Sequence, residues 1–350
     1  MEKRYFDELD SLRGIFIMGI VIYHIRDAFN GVFSEILDPI YKYGGYFGNY
    51  FFFMLSGFLI AFSYKQIVRE GRISFSGFLA RRLIKIYPLY ILSTIVQLCL
   101  MILLSGTYGI TAKTLLLNAF MMACGWIEDT YPLNLPLWFV CVLMLCYILY
   151  FAVCRLTKTG NKKYIFMLLA FMLWGYILEI KNWDFPFCYA CDGEGLLNFF
   201  TGCLLFEIYS GLDTIQKKRL SAVGLTALFA LAILSYYKGF SAVSGDIRIV
   251  ITAIICPTVI FCALTVSPVK KLLSFRPLQS LGKISMSVFC WHSPFLKISG
   301  ILGIYSLPCQ AGFISYLLLL ILFCGLSHLT VEKKAGSLFG ILLSSDKNRK

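Results

Sequence analysis

Residues 9–27 read LDSLRGIFIMGIVIYHIRD, and this stretch decides the fold. From Gly14 to Tyr23 it carries no charged side chain, while Arg13 and His24 stand at its two ends. About 20 apolar residues as helix cover a hydrocarbon core of ~30 Å, so the segment reads as a membrane span over 13–30. Working outward, comparable apolar runs recur at 46–64, 83–105, 136–155, 164–180, 196–211, 220–238, 247–266, 284–301 and 311–331. That predicts an all-α, polytopic bundle of about ten transmembrane helices. Residues 114–125 (TLLLNAFMMACG) are apolar but short, and read as a re-entrant or interfacial helix. The composition agrees: of 350 residues, 59% are hydrophobic and 15% charged, against about 25% charged in soluble domains. A soluble enzyme, a secreted disulfide scaffold and a disordered tail are excluded. No internal repeat stands out, and no hydrophilic block is long enough for a second domain. Residues 1–335 are expected to form the membrane domain and 336–350 a basic cytoplasmic tail. The start, MEKRYFDELD, lacks a small-residue cleavage site and does not read as a removed signal peptide.

The net charge of +13, from 32 Lys and Arg against 19 Asp and Glu, would point to nucleic acid in a soluble protein. Here its distribution gives orientation instead. With the N-terminus inside, the inner segments hold 24 Lys and Arg, while the outer loops hold Lys42, Lys113, Lys181 and Lys238. Lys and Arg accumulate on the cytoplasmic side, so both termini are expected inside a cell membrane, with no nucleic-acid partner. The outer loops are acidic and aromatic, with Glu35, Asp38, Glu128, Asp129, Asp184, Asp192, Glu194, Asp246, Trp126, Tyr131 and Trp183. Such a surface suits sugar hydroxyls, although interfacial aromatic belts give the same composition. Most of the 13 cysteines lie inside apolar runs, Cys99, Cys141, Cys146, Cys256 and Cys262 among them, and behave as small hydrophobes.

Ionisable side chains within a span are costly and mark function by default. Arg13 and His24 are eleven residues apart, about three turns, which puts both on one helical face ~16 Å apart along the axis. Asp10, three residues before Arg13, is placed to pair with it. The structural alternatives are an arginine snorkelling to the inner interface and a histidine making a buried contact between helices.

The Arg-x10-His spacing within LDxLRG resembles the membrane acyltransferase-3 family. Four further stretches fit in order. Phe51-Phe52-Phe53-Met54-Leu55-Ser56-Gly57-Phe58 is similar to the family's FFxxSGF, and Arg81-Arg82-Leu83-Ile84-Lys85-Ile86-Tyr87-Pro88 to its RRxxRxxP. Leu137-Trp138-Phe139 resembles its LWF, and the stretch from Leu281 to His292, LGKISMSVFCWH, its LGxISYxxYLxH. The resemblance runs from residue 4 to about 330. It implies transfer of an acyl group, most often acetyl, from cytoplasmic acyl-CoA to hydroxyls of surface glycans, lipid-linked sugars or small products. It implies His24 as the catalytic histidine, Arg13 as its paired arginine, and Arg82 and Lys85 as part of a basic cluster serving the donor. Three departures stand out. Lys85 replaces an arginine, so a bidentate contact becomes a point charge; Met286 and Phe289 replace tyrosines; and the region of Leu143 lacks the glutamate of many relatives.

The chemistry of the residues points the same way. Acyl-CoA is a polyanion made inside the cell, and its phosphates require Arg and Lys at the inner surface; Arg81, Arg82 and Lys85 open a helix there. Retention of positive charge inside accounts for the two arginines equally well. Acyl transfer to a hydroxyl needs a base near neutral pKa, a role for which histidine is suited. His24 then acts either as that base or, through an acyl-histidine, as a nucleophile. Ser56, Trp138, Ser285 and His292 are candidates to contact substrate, with Ser56 or His292 able to stabilise an oxyanion. For Ser56 the alternative is close helix packing beside Gly57, and for His292 an interhelical hydrogen bond. His328, four residues before Glu332, reads as structural. Cys188-Tyr-Ala-Cys191 in an outer loop lacks a second ligand pair for zinc and is open to a local disulfide or two free thiols; no metal is expected. Gly193 and Gly195 read as an outward turn around Glu194. The rival readings are a transporter or flippase of a polar solute gated by Arg13 and His24, though no repeated half is visible, and a binding subunit with a degenerate site.

Overall fold

Apolar length becomes helix along the whole chain. In the computed structural model, residues 6–106, 110–126, 132–181, 189–238 and 246–335 are described, and every secondary-structure element among them is helical. In order these are α1 (Asp7–Ile25), α2 (Ser34–Arg69), α3 (Phe75–Ser105), the short α4 (Ala112–Ala119), α5 (Trp138–Leu156), α6 (Asn161–Lys181), α7 (Ala190–Gly211) and α8 (Thr214–Lys238). A helix then runs through α9 (Ile247–Val250), a π-helical turn (Ile251–Ile255) and α10 (Cys256–Thr265). The short α11 (Ser267–Leu273) and α12 (Arg276–Lys283) lead to α13 (Ser285–Ile301) and α14 (Cys309–Ser327), with a last π-helical turn at His328–Glu332.

Seven stretches, Ser34–Arg69, Phe75–Ser105, Leu135–Leu156, Asn161–Lys181, Thr214–Ser235, Ile247–Thr265 and Cys309–Ala335, are long and apolar enough to cross a bilayer. The three other expected spans are also helical but do not meet that criterion. α1 carries Asp7, Glu8, Asp10 and Arg13; α7 carries Asp192, Glu194 and Glu207; and α13 is 17 residues long. The 114–125 stretch forms the eight-residue α4 followed by turns. Asp184, Trp183, Tyr131, Glu128, Asp129, Cys188 and the tail 336–350 lie outside the described residues.

The described chain divides into two compact units. The first comprises residues 1–20, 43–72 and 149–283. Its core joins Leu9 and Leu12 of α1, Tyr50, Phe51, Met54 and Phe58 of α2, and Ile260 and Phe261 of α10. α2 and α7 interlock through glycines: a Cβ on Gly57 would lie 1.9 Å from the Phe199 carbonyl oxygen, and one on Gly202 the same distance from that of Met54. The same logic overturns the expected outward turn at Gly193–Gly195. These residues lie within α7, where a Cβ on Gly193 would come 2.5 Å from the Glu179 nitrogen of α6. Asp192 and Glu194 are therefore buried rather than displayed on an outer loop. They neighbour a polar network in which Tyr50 donates to Glu179 at 2.5 Å and Arg248 donates to the Glu179 carbonyl at 2.6 Å. Arg248 also reaches Asp246 at 2.7 Å and holds its carboxyl below the usual carboxylate range.

The second unit comprises residues 21–42, 73–148 and 284–350. α13 contains Pro294, whose missing N–H leaves the Cys290 carbonyl without its helical partner. Asn134 supplies one: its side-chain amide donates to the Cys290 carbonyl at 2.9 Å and to Ser93 at 3.3 Å. Trp291 donates to Ser327 of α14 at 2.9 Å. The chain leaving α1 turns through left-handed Asn30, Gly31 and Phe33 and plants Phe29 among Tyr305, Phe313 and Tyr316, at centroid distances of 5.4, 5.9 and 5.9 Å.

Candidate active site

His24 occupies the last turn of α1 and is exposed. That turn is pinned from behind, because Phe29 of the following 3-10 turn is buried in its aromatic cage. The cage continues into α13: Tyr316, against Phe29, donates to the His292 carbonyl at 2.8 Å. His292 itself is 1% exposed, and its ring centroid lies 5.0 Å from that of His24 with the planes tilted by 53°. The two histidines singled out in the sequence, 268 positions apart, are thus brought together within one unit.

His292 Nδ1 lies 2.8 Å from the Phe289 carbonyl oxygen and 3.2 Å from that of Val288. Carbonyl oxygens only accept, so Nδ1 carries the proton. Burying an unpaired cation is costly, so the ring is neutral and Nε2 is an acceptor. His292 therefore offers an acceptor to its surroundings, not the donor an oxyanion requires. Beside it stands Phe289, in the place of a family tyrosine, 6.0 Å from the His292 ring and 5.4 Å from that of Phe139.

The remaining candidates distribute between the units. Arg81, Arg82 and Lys85 sit in the first three turns of α3, which Ser74 caps by accepting from the Gly77 N–H at 3.1 Å. Arg81 and Lys85, four apart, share an exposed face. Arg82 turns inward, with its guanidinium 6.0 Å from the Tyr147 ring centroid. Trp138 opens α5, and Ser285 opens α13. In the second unit it is Ser287, not Ser285, that meets a carboxylate: its hydroxyl donates to Glu332, whose other oxygen lies 3.2 Å from His328 Nδ1. Nothing in the spacing of Ser287 distinguishes it from Ser285 until α13 and the chain's last turn are placed.

Arg13 and Ser56 belong to the first unit. The expected pairing of Arg13 with Asp10 is present at 2.8 Å, and the Asp10 side chain is 3% exposed. Ser56 lies beside Gly57, where α2 packs against α7. The sequence reading missed a cleft of about 440 Å³ in this unit, lined by Phe6, Tyr209, Lys217, Lys218 and Lys270 with Glu8. Its lysines come from segments far apart in the chain, so only the charge count of the inner loops hinted at it. Among the described residues no group of three or more His, Cys, Asp or Glu side chains is arranged to hold a metal ion.

Known proteins bear on this arrangement. A profile of the acyltransferase-3 family, described as an acyltransferase domain, matches residues 6–331. A Staphylococcus aureus (strain COL) protein named as a candidate O-acetyltransferase is 25% identical over 95% of this chain and 57% of its own length. The O-acetyltransferase OatA of S. aureus (strain NCTC 8325) is 24% identical over 84% of this chain and 51% of its own. This chain spans about half the length of the curated relatives it matches. No solved structure matches it. A multi-pass helical chain matched from before α1 to its last helical turn belongs to the acyltransferase-3 family.

Proposed function

We propose that this chain is a membrane O-acyltransferase that moves an acetyl, or another short acyl, group from cytoplasmic acyl-CoA to a hydroxyl of a cell-surface polysaccharide or its lipid-linked precursor. The observation that carries the reading is the family match over residues 6–331, taken together with the resemblance of the Arg13–His24 stretch to the family's first span. The relatives' printed names favour the enzyme over a transporter or flippase. In this reading the ten helical stretches all cross the cell membrane, with both termini inside, as the distribution of Lys and Arg requires.

The donor phosphates are held at the inner surface by Arg81 and Lys85 on their shared face. Arg82 adds a guanidinium stiffened by the Tyr147 ring. Arg13, fixed by Asp10, orients the group approaching from that side. His24 removes the proton from the acceptor hydroxyl, whose oxygen attacks the thioester carbon. The C–S bond then breaks, and His24 returns the proton to the leaving CoA thiolate. Trp138 contributes an apolar wall, and Ser56 and Ser285 contribute hydroxyls. No metal takes part.

The test is a comparison of purified wild type and His24→Ala, given labelled acetyl-CoA and trace lipid-linked glycan. CoA release with label reaching the glycan in wild type, and a fall of 10²–10⁴-fold in the variant, is the expected result. A wild type that neither binds nor consumes acyl-CoA overturns the reading in favour of a transporter.

A further inference from the structure

Two features of His292 have no part in the transfer just described. Its Nε2 is buried and has no hydrogen-bond partner among the described residues, although leaving a buried polar atom unpaired is costly. Its Nδ1–H, by contrast, is fixed on the Phe289 carbonyl at 2.8 Å, and its own backbone is clamped by Tyr316 at 2.8 Å. The ring is therefore held with a lone pair of defined direction and no donor on it. The neighbouring imidazole, His24, is exposed, with its centroid 5.0 Å away. Each ring nitrogen lies roughly 1.1 Å from its centroid, so two nitrogens turned to face each other across that separation would stand about 2.8 Å apart, hydrogen-bond distance. Catalytic hydrogen bonds are often misaligned before substrates bind and tighten afterwards.

We propose that His292 is the positioning residue of His24. When donor and acceptor are bound, one N–H of His24 turns onto His292 Nε2. That contact fixes the tautomer of His24, leaving its other nitrogen unprotonated and aimed at the acceptor hydroxyl. As the hydroxyl proton moves to that nitrogen, the new O–C bond forms and the C–S bond breaks; the imidazolium keeps its second N–H on His292 until the proton passes to the CoA thiolate. An uncharged ring acceptor thus does what a carboxylate does where a histidine base is oriented by aspartate.

The proposal rests on His24 being the base, so its test has one arm that needs no turnover. With ¹⁵N-histidine label in nanodiscs, the chain's three histidines are assigned by single substitution, and the His292 tautomer is read directly. Protonation at Nδ1 is expected; protonation at Nε2 overturns the proposal whatever the activity. The second arm compares His292→Gln with His292→Asn. Glutamine places its carbonyl oxygen where Nε2 stands, keeping the acceptor; asparagine places its amide where Nδ1 stands, keeping only the bond to Phe289. Expected is a kcat for Gln within about tenfold of wild type and a loss of about 10–100-fold for Asn, with KM for acetyl-CoA unchanged in both. A merely structural role predicts the reverse order, and that order, or equal kcat in both variants alongside an inactive His24→Ala, overturns the proposal. If His24→Ala retains full activity, it is the function reading that fails.

Discussion

His24 and His292 carry the same side chain and differ in burial. His292 is locked through Nδ1, and its peptide carbonyl accepts from Tyr316, whereas His24 is exposed at the end of its helix. Two residues after His292 stands Pro294. A proline within a helix removes one donor, and in a bilayer the freed carbonyl requires a replacement. Asn134 provides it to Cys290, two residues before His292. Replacing Asn134 with Ala leaves that buried carbonyl unpartnered, and we expect a loss of about 1–3 kcal/mol in unfolding free energy in detergent. Replacing Pro294 with Ala in the Asn134→Ala background restores the helical donor. Recovery of most of the lost stability in the double variant is the expected outcome, and additive losses would show that Asn134 acts elsewhere.

At the scale of the elements, helix existence was legible because apolar runs of 16–23 residues leave the backbone few alternatives. The runs at 83–105, 136–155 and 164–180 fall within α3, within or one residue from the 135–156 stretch, and within α6. What escaped was any feature depending on a second helix. Gly193 and Gly195 beside two acidic residues look like a surface turn, yet α6 approaches Gly193 so closely that only glycine fits there, and Asp192 and Glu194 are buried. Tyr50, Glu179 and Arg248 form one network from three helices, and no spacing within a single run announces it. The Arg13–Asp10 pair, local by contrast, was readable from three positions of sequence. Two glycines separate local from tertiary roles. A Cβ on Gly202 would stand 1.9 Å from the Met54 oxygen, whereas one on Gly19 meets nothing within 4 Å. Gly202→Ala should therefore lower stability by about 1–3 kcal/mol or more through overpacking. Gly19→Ala should be neutral or gain up to about 1 kcal/mol from helix propensity. Paired thermal unfolding in one detergent decides it, and equal effects would mean that α2 and α7 are not interlocked.

For the molecule as a whole, the proposed function depends on which end of each helix faces the cytoplasm, because in that proposal donor and acceptor sit on opposite sides. Apolar side chains on the outside of the helices, such as Leu318, Leu322 and Leu326 along α14, suit lipid contact but say nothing of direction. The proposed direction comes from the 24 Lys and Arg of the segments assigned inside against four in the loops assigned outside. Under that orientation the link before α14 lies outside and the link between α7 and α8 inside. Both carry an addressable position. Cys309 is exposed, within 3.7 Å of the Asn30 amide, and Asp213 is exposed at the start of α8. In a background with Cys188 and Cys191 changed to Ser, a membrane-impermeant maleimide should label Cys309 on intact cells. A cysteine placed at Asp213 should react only after permeabilisation. The opposite pattern would put Arg81, Arg82 and Lys85 outside, away from any pool of acyl-CoA, and the proposed donor route would fall with it.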